Sequence, residues 1–445
     1  MSFFRKHWQT WRQDRLLGAV IRNTGYLFSG NTVGMLLNLV QSVFTARLLG
    51  VDMLGLLGVI TTFASTVNRL FSFRMGELVV KYIEQYRSQG RMDRAAAVVK
   101  VAALTEGITS LLAWVALVLL TPLAAMLFAK DPSTAPWFLL YGLIIPGNLC
   151  TETSTGILQV DRRFRGQAYI NIGQAVLTAV LIVAIYLMHG TLTEVVIAYL
   201  LGKLILGIGP MVLAWDSMHK LFGAGWWRAP FSLLPPRREL TAFALSTNLS
   251  ATLNMVVRDS ESLWVGLFLS TREVGLYKIA LAIINPVLMP ITPFISTVYP
   301  ELGRSAAEKS WRQLRSLLRR VTIIAGGYTG AATLGLLLLG APLITLFYGP
   351  DFTPAYPALL ILLVGYGIAN TLFWNRSLLL VLHQPVFPFQ VMLWTGLAKV
   401  ALAFVLVPRF GYLAEAALLS AYLAISVVII VWQGLRRTTV LENAV

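Results

Sequence analysis

Leu48-Leu49-Gly50-Val51-Asp52-Met53-Leu54-Gly55-Leu56 comes back 220 positions later as Phe268-Leu269-Ser270-Thr271-Arg272-Glu273-Val274-Gly275-Leu276. Each copy is a short polar turn between two long apolar runs. The same offset, without a gap, pairs Pro122-Leu123 with Pro342-Leu343, Asp131 with Asp351, Ala135 with Ala355 and Leu139-Leu140 with Leu359-Leu360. The chain therefore reads as one unit written twice.

Working outward from these turns, twelve apolar runs fill the chain, at 24–46, 54–73, 101–125, 137–157, 168–188, 194–214, 240–269, 274–299, 321–340, 354–375, 386–407 and 411–433. Each is near the ~20 residues a helix needs to cross a bilayer. Six runs separate the copies, an even number, so both copies point the same way. The expected architecture is an all-α polytopic membrane protein of twelve transmembrane helices, in two six-helix lobes related by a pseudo-twofold along the membrane normal. The expected divisions are an N-terminal segment 1–22, a lobe 23–215, a linker 216–239, a second lobe 240–433 and a tail 434–445. Gly223-Ala224-Gly225, Pro235-Pro236 and Arg237-Arg238 mark the linker as the joint.

Charge gives the orientation. Arg and Lys crowd the N-terminal segment, the loops around Arg87, Arg163, Arg228 and Arg312, Arg376, and the tail at Arg436 and Arg437, whereas the alternate loops carry only Arg47, Lys130, Arg272 and Arg409. By the positive-inside rule both termini are cytoplasmic. With 57% hydrophobic and 13% charged residues, the net charge of +16 is topology rather than a stripe for nucleic acid. The first 22 residues lack the apolar core of a signal peptide. There Phe3, Phe4, Trp8 and Trp11 interleave with Arg5, Lys6, Arg12 and Arg15, which suits an amphipathic segment on the anionic leaflet as well as a plain basic tail. Cys150 stands alone in the fourth run, so no internal disulfide forms and its plain reading is a small buried residue.

Polar residues inside the runs are the candidates for function. The first run carries Asn31, Asn38, Gln41, Ser42 and Thr45 along one helical stripe, and the seventh carries Thr247, Ser250, Asn254, Arg258 and Glu261. Under the 220-residue offset Asn38 matches Arg258 and Gln41 matches Glu261. The stripes face either a shared polar cavity or neighbouring helices. Charges are more telling, because each costs roughly 2.5 to 3.5 kcal/mol at a helix centre on insertion scales. Arg258 lies about 16 Å from the outer end of its run at 1.5 Å per residue, near the midplane, and Lys203 and Lys399 are similarly deep. Arg69 stands at a possible cytoplasmic mouth. Lys278, Glu415, Glu106 and Glu152 fall nearer a surface, where side chains can snorkel or cap. Arg258 and Glu261, three apart, can pair with each other, while Asp259 points about 100° away and needs a partner from another helix. Arg47 either anchors the interface or is the last cation an outgoing anionic head group meets.

No Gly-x-x-x-x-Gly-Lys-Ser/Thr loop occurs, so nothing marks the chain as an ATPase. His7, His189, His219 and His383 show no metal-ligand spacing, and no cofactor is expected. Loops of at most about 30 residues leave no room for a soluble catalytic domain. Transport, not catalysis, is the leading class.

Thr45-Ala46-Arg47-Leu48-Leu49-Gly50 followed by Leu54-Gly55, Phe268-Leu269-Ser270 through Val274-Gly275-Leu276-Tyr277, and Leu346-Phe347-Tyr348-Gly349-Pro350-Asp351-Phe352 resemble the polysaccharide-unit flippases of the multidrug/oligosaccharidyl-lipid/polysaccharide exporter superfamily. The resemblance implies a bacterial inner-membrane protein that moves an undecaprenyl-pyrophosphate-linked oligosaccharide to the outer leaflet without ATP. It further implies a polysaccharide polymerase and a chain-length regulator as partners. An acidic residue in the seventh helix of many members is matched by Asp259. The expected substrate-contacting set is Arg47, Arg69, Lys203, Arg258, Lys399, Asn38, Gln41 and Asn254, with Asp259, Glu261 or Glu106 as coupling-ion sites. A cation-coupled drug exporter of the same superfamily, and a membrane-embedded assembly partner or enzyme of glycan synthesis, are the alternatives. A lipid II flippase is a nearer variant, disfavoured because that group typically carries two additional helices.

Overall fold

The computed structural model describes residues 15–72, 75–236, 240 and 252–443. Phe3, Phe4, Arg5, Lys6, Trp8, Trp11 and Arg12 of the N-terminal segment, together with Arg74, Arg237, Arg238, Thr247 and Ser250, lie outside the described residues.

Helices account for the described chain, with no strand among the described residues. α1 (Arg15–Phe71) carries the first two apolar runs and turns at Gly50, whose φ of 70° and ψ of −178° put the turn in backbone space that a side chain disfavours. α2 (Met75–Ser88) is followed by α3 (Met92–Phe128). The fourth run breaks into α4 (Ala135–Gly142), α5 (Ile144–Gly147) and α6 (Thr151–Val160), and α7 (Phe164–Leu187) and α8 (Leu192–Phe222) complete the first copy.

The seventh run contains a π-helical turn, Met255–Asp259, and then α9 (Glu261–Phe268). α10 (Thr271–Leu288), α11 (Thr292–Ala307) and α12 (Trp311–Phe347) follow. The tenth run breaks, like the fourth, into α13 (Ala355–Thr371) and α14 (Asn375–Val381). α15 (Val386–Phe410) and α16 (Tyr412–Asn443) end the chain.

Eight helical stretches among the described residues are long and apolar enough to cross a membrane. The first of them holds two expected runs, one on each side of Gly50, and the fourth, seventh and eighth runs are followed by shorter, interrupted helices. Among the described residues the path agrees with the expected twelve runs, the seventh being described from Thr252 onward. Leu119, Leu338 and Leu346 stand 74%, 65% and 65% exposed on α3 and α12, which water would penalise and lipid would not. The protein is a multi-pass membrane protein.

Packing divides the chain into two compact units. One comprises residues 1–42, 67–121 and 136–249; the other comprises 43–66, 122–135 and 250–445. In the first unit, α2, α3, α6 and α8 bring together Leu78, Tyr82, Val98, Leu158 and Met218 in one buried cluster, with α6 packed against both α2 and α8. In the second, α11, α12 and α14 bring together Val298, Leu302, Leu318 and Leu378. Leu78 and Val298, Tyr82 and Leu302, Val98 and Leu318, and Leu158 and Leu378 are each 220 positions apart. The internal repeat therefore extends to packing that the sequence comparison did not reach, including α2, which falls within a segment read only as a basic loop.

Inside the second unit the two turns cross. A Cβ on Gly55 would come within 1.7 Å of the Thr271 carbonyl oxygen, and a Cβ on Gly275 within 2.2 Å of the Val51 carbonyl oxygen. Residues 51 and 271 are 220 apart, as are 55 and 275, so the contact is reciprocal, as at a twofold axis. Asp52 and Arg272, themselves 220 apart, form an exposed ion pair of 3.7 Å across the crossing. Only glycine allows backbones this close. Around it, Arg47 Nε donates to the Phe347 carbonyl over 2.7 Å and Nη2 donates to that of Leu346, while Lys130 Nζ donates to the Leu267 carbonyl over 2.7 Å. Cations here cap the last carbonyls of α9 and α12, which favour positive charge.

Candidate functional site

The site begins at the π-helical turn. One extra residue in the turn rotates the helix, so that Met255 and Val257 are buried while Arg258 and Asp259 are exposed. Arg258 does not pair with Glu261 as their spacing allowed. Its guanidinium stands 5.5 Å from the centre of the Tyr366 ring, a cation–π contact. Beside it opens a cavity of about 260 Å³ within the second unit, lined by Asn254, Arg258, Tyr366, Asn370, Asn375, Tyr422 and Ser426, with Phe373, Met392, Leu423 and Ile430 among the apolar walls. Asn370 is oriented by donating Nδ2–H to Thr329 Oγ1 over 2.8 Å. Asp259, next to Arg258 in the chain, has interactions of its own.

Glu261 turns the other way. It is 2% exposed and forms an ion pair with Lys399 of α15, whose ammonium also lies 2.8 Å from Glu415 Oε1 of α16 and donates to the Val257 carbonyl over 2.8 Å. Tyr277 of α10 donates its hydroxyl proton to Glu261 Oε2 over 2.6 Å. Four helical segments thus meet at three buried charges. Glu415, read from its position as a residue able to snorkel, is fully buried, because α16 continues past it and α15 presents Lys399 to it. Its Oε2 finds no hydrogen-bond partner among the described residues. Lys399 is consequently committed to protein oxygens.

The first unit treats its buried polar groups differently. Glu106 of α3, 3% exposed, accepts the backbone N–H of Glu152 over 2.7 Å and that of Thr153 over 2.9 Å. It caps α6 from outside, where unpaired amides and the helix dipole favour an anion. Gln41, 3% exposed, donates Nε2–H to the Ala175 carbonyl of α7 over 3.0 Å. Asn38 is exposed one turn earlier, and Asn31 has no described side chain. Lys203 and Arg69 are both exposed, and Lys203 feels the charge of Arg69. No group of three or more His, Cys, Asp or Glu side chains suited to a metal occurs among the described residues.

The structure thus gathers Arg258 and Asn254 of the expected set around one cavity and draws Glu261 and Lys399 into a separate ion cluster. Tyr366 and Tyr422 went unnoticed in the sequence, and Tyr277 entered only as part of a motif, because an aromatic in an apolar run carries no sign of what it faces.

Residues 20–306 match the family model described as polysaccharide biosynthesis protein. The inner membrane protein YghQ of Escherichia coli (strain K12) is 24% identical over 359 residues, covering 80% of this chain and 99% of that one. Among solved structures, a MATE family multidrug resistance transporter of the MOP superfamily in its inward-facing conformation superposes with a TM-score of 0.71 at 15% identity, covering 92% of this chain and 96% of the other. The lipid II flippase MurJ in an inward closed conformation gives 0.68 at 16% identity, covering 94% and 90%. The chain has the fold of these transporters.

Proposed function

We propose that this chain, which belongs to the polysaccharide biosynthesis protein family, flips a lipid-linked oligosaccharide across the bacterial inner membrane by alternating access. The observation that carries the reading is the Arg258 cavity. A diphosphate and its sugars cannot cross hydrocarbon unaided, and they need fixed positive charge, hydrogen-bonding amides and flat apolar faces. Arg258 supplies a guanidinium, which stays charged and can grip two phosphate oxygens at once. Asn254, Asn370 and Asn375 offer amides, and Tyr366 and Tyr422 offer ring faces and hydroxyls. Arg69 and Lys203 supply further cations in the first unit. An arginine in the cavity disfavours the cationic cargo of a drug exporter.

In this reading the basic face is cytoplasmic, with both termini, and the charge-poor face carrying the Gly55–Gly275 crossing is outer. The halves 23–215 and 240–433 act as lobes that rock about the linker 216–239. Arg47 serves the outer face, where it caps α12. Asp259, beside the cavity cation, is the coupling carboxylate, since Glu106 and Glu261 are held by the backbone amides of α6 and by Lys399 respectively.

The test is surface-glycan export in cells deprived of their own flippase and supplied with this chain. Export should be restored by the wild-type chain, lost in Arg258→Ala at equal membrane abundance, and partly kept in Arg258→Lys, which retains charge without the planar fork. Full export by Arg258→Ala would remove the cavity from the mechanism. In reconstituted protein, Asp259→Asn should weaken dependence on a proton or sodium gradient more than it weakens substrate binding; flipping that ignores the gradient in both forms would leave Asp259 without a coupling role.

A further inference from the structure

Lys278 follows Tyr277 on α10, so its side chain leaves the helix about 100° away from the Glu261 cluster. It lies across Gly58 of α1: a Cβ on Gly58 would meet Lys278 Cδ at 3.0 Å and Nζ at 3.4 Å. Residues 58 and 278 are 220 apart, so the pair lies on the same local axis as Asp52 and Arg272. Gly58 is eight residues beyond Gly50, about 12 Å into the helix, and the ammonium rests at that depth instead of snorkelling back to the surface.

The neighbouring cations all have oxygen partners. Arg47 and Lys130 hold helix-end carbonyls, Arg272 faces Asp52, and Lys399 is surrounded by Glu261, Glu415 and the Val257 carbonyl. Among the described residues no hydrogen bond or ion pair reaches Lys278. A fixed ammonium at this depth without a counter-charge is costly, and chains keep intramembrane cations that serve a pathway or a partner. Gly58 is what makes room for it, since any side chain there would displace the lysine stem.

We propose that Lys278 is an anion-binding residue that takes a phosphate oxygen beneath the Gly55–Gly275 crossing. Resting on the flippase reading, this makes it a second phosphate contact, separate from the Arg258 cavity and nearer the charge-poor face. The shared chemistry is a phosphate oxyanion, whose source is either the diphosphate of the transported lipid or the head group of a bulk anionic phospholipid.

The experiment uses the full chain in nanodiscs of phosphatidylcholine, with and without phosphatidylglycerol, titrated with farnesyl pyrophosphate. Wild type, Lys278→Met and Lys278→Arg are compared. In neutral discs Lys278→Met should bind the pyrophosphate about tenfold more weakly and Lys278→Arg close to wild type, the loss expected for one charge-assisted hydrogen bond. Thermal stability of Lys278→Met should be unchanged or higher, because no native partner is orphaned; a marked fall would reveal a structural partner and overturn the proposal. Phosphatidylglycerol that competes in the wild type but not in Lys278→Met would assign the site to bulk lipid and support it as a phosphate site. Equal binding of both anions by wild type and Lys278→Met would overturn the site while leaving the flippase reading intact. Wild type that ignores farnesyl pyrophosphate but binds phosphatidylglycerol through Lys278 would do the reverse.

Discussion

Gln41 and Glu261 occupy the same position in the two copies, 220 residues apart, and are buried alike, at 3% and 2% exposure. Each bonds to the fifth helix of its own copy. Gln41 reaches the Ala175 carbonyl of α7; Glu261 reaches Lys399 of α15, one turn beyond Thr395, the counterpart of Ala175. A neutral amide joins one pair of helices and a charge cluster joins the other. The difference is not an aversion of the first copy to buried carboxylates, for Glu106 is as buried as Glu261. There the counter-charge is a pair of backbone N–H groups, fixed by the fold. In the second copy it is a side chain that chemistry can remove, and three helices depend on it at once.

That contrast is tested most severely at Lys399. Lys399→Met should destabilise the protein by about 3 to 5 kcal/mol, since it leaves two carboxylates buried without their cation. Adding Glu261→Gln and Glu415→Gln should recover most of that loss, as read by thermal unfolding in nanodiscs. A Lys399→Met protein that unfolds like wild type would show that the three charges are not one unit.

The converse substitution, Gln41→Glu, imports a carboxylate without its cation and should cost about 2 to 3 kcal/mol. Combining it with Ala179→Lys, the counterpart of Lys399, should restore part of the stability if the two joints are equivalent. No recovery would mean that α7 cannot present a lysine as α15 does.

Tyr277→Phe removes one hydrogen bond to a charged acceptor and should cost about 1.5 to 2 kcal/mol, visible as faster amide exchange at the start of α9. Gln41→Ala, which ends a single neutral bond, should cost about 1 kcal/mol. If Gln41→Ala matched Tyr277→Phe, the neutral joint would be stronger than its chemistry allows, and the contrast between the copies would lose its basis.

Much of the fold was legible because hydrocarbon imposes it. Apolar run length and the alternation of basic loops follow from crossing a bilayer, and the 220-residue echo between Leu48-Leu49-Gly50 and Phe268-Leu269-Ser270 adds the two-copy arrangement. α2 was hidden because its apolar face is intermittent and its basic residues dominate the segment. The breaks at Asn148 and Leu372 were hidden because short interrupted helices have the composition of continuous ones.

At the site, depth along the sequence located Arg258 but could not sort its neighbours. The π-helical turn separates Arg258 from Glu261, and Glu261 finds Lys399 across 138 residues. Such pairings depend on how helices rotate against one another, a quantity that periodicity does not fix when nearly every face is apolar. Glu415 shows the same limit: nearness to a helix end suggested water, whereas α15 encloses it.

The reciprocal crossing of Gly55 and Gly275 bears on ancestry. Two identical chains meeting about a twofold axis must use one sequence for both sides of every contact, so a residue on the axis always faces its own kind. Fusion of the two genes lifts that restriction. At the crossing the old identity persists, because either glycine alone is indispensable to the approach. Three residues further on it has lapsed, with Gly58 facing Lys278. A lysine at both positions would set two ammonium groups against each other, so a charge on this axis requires the two copies to differ there.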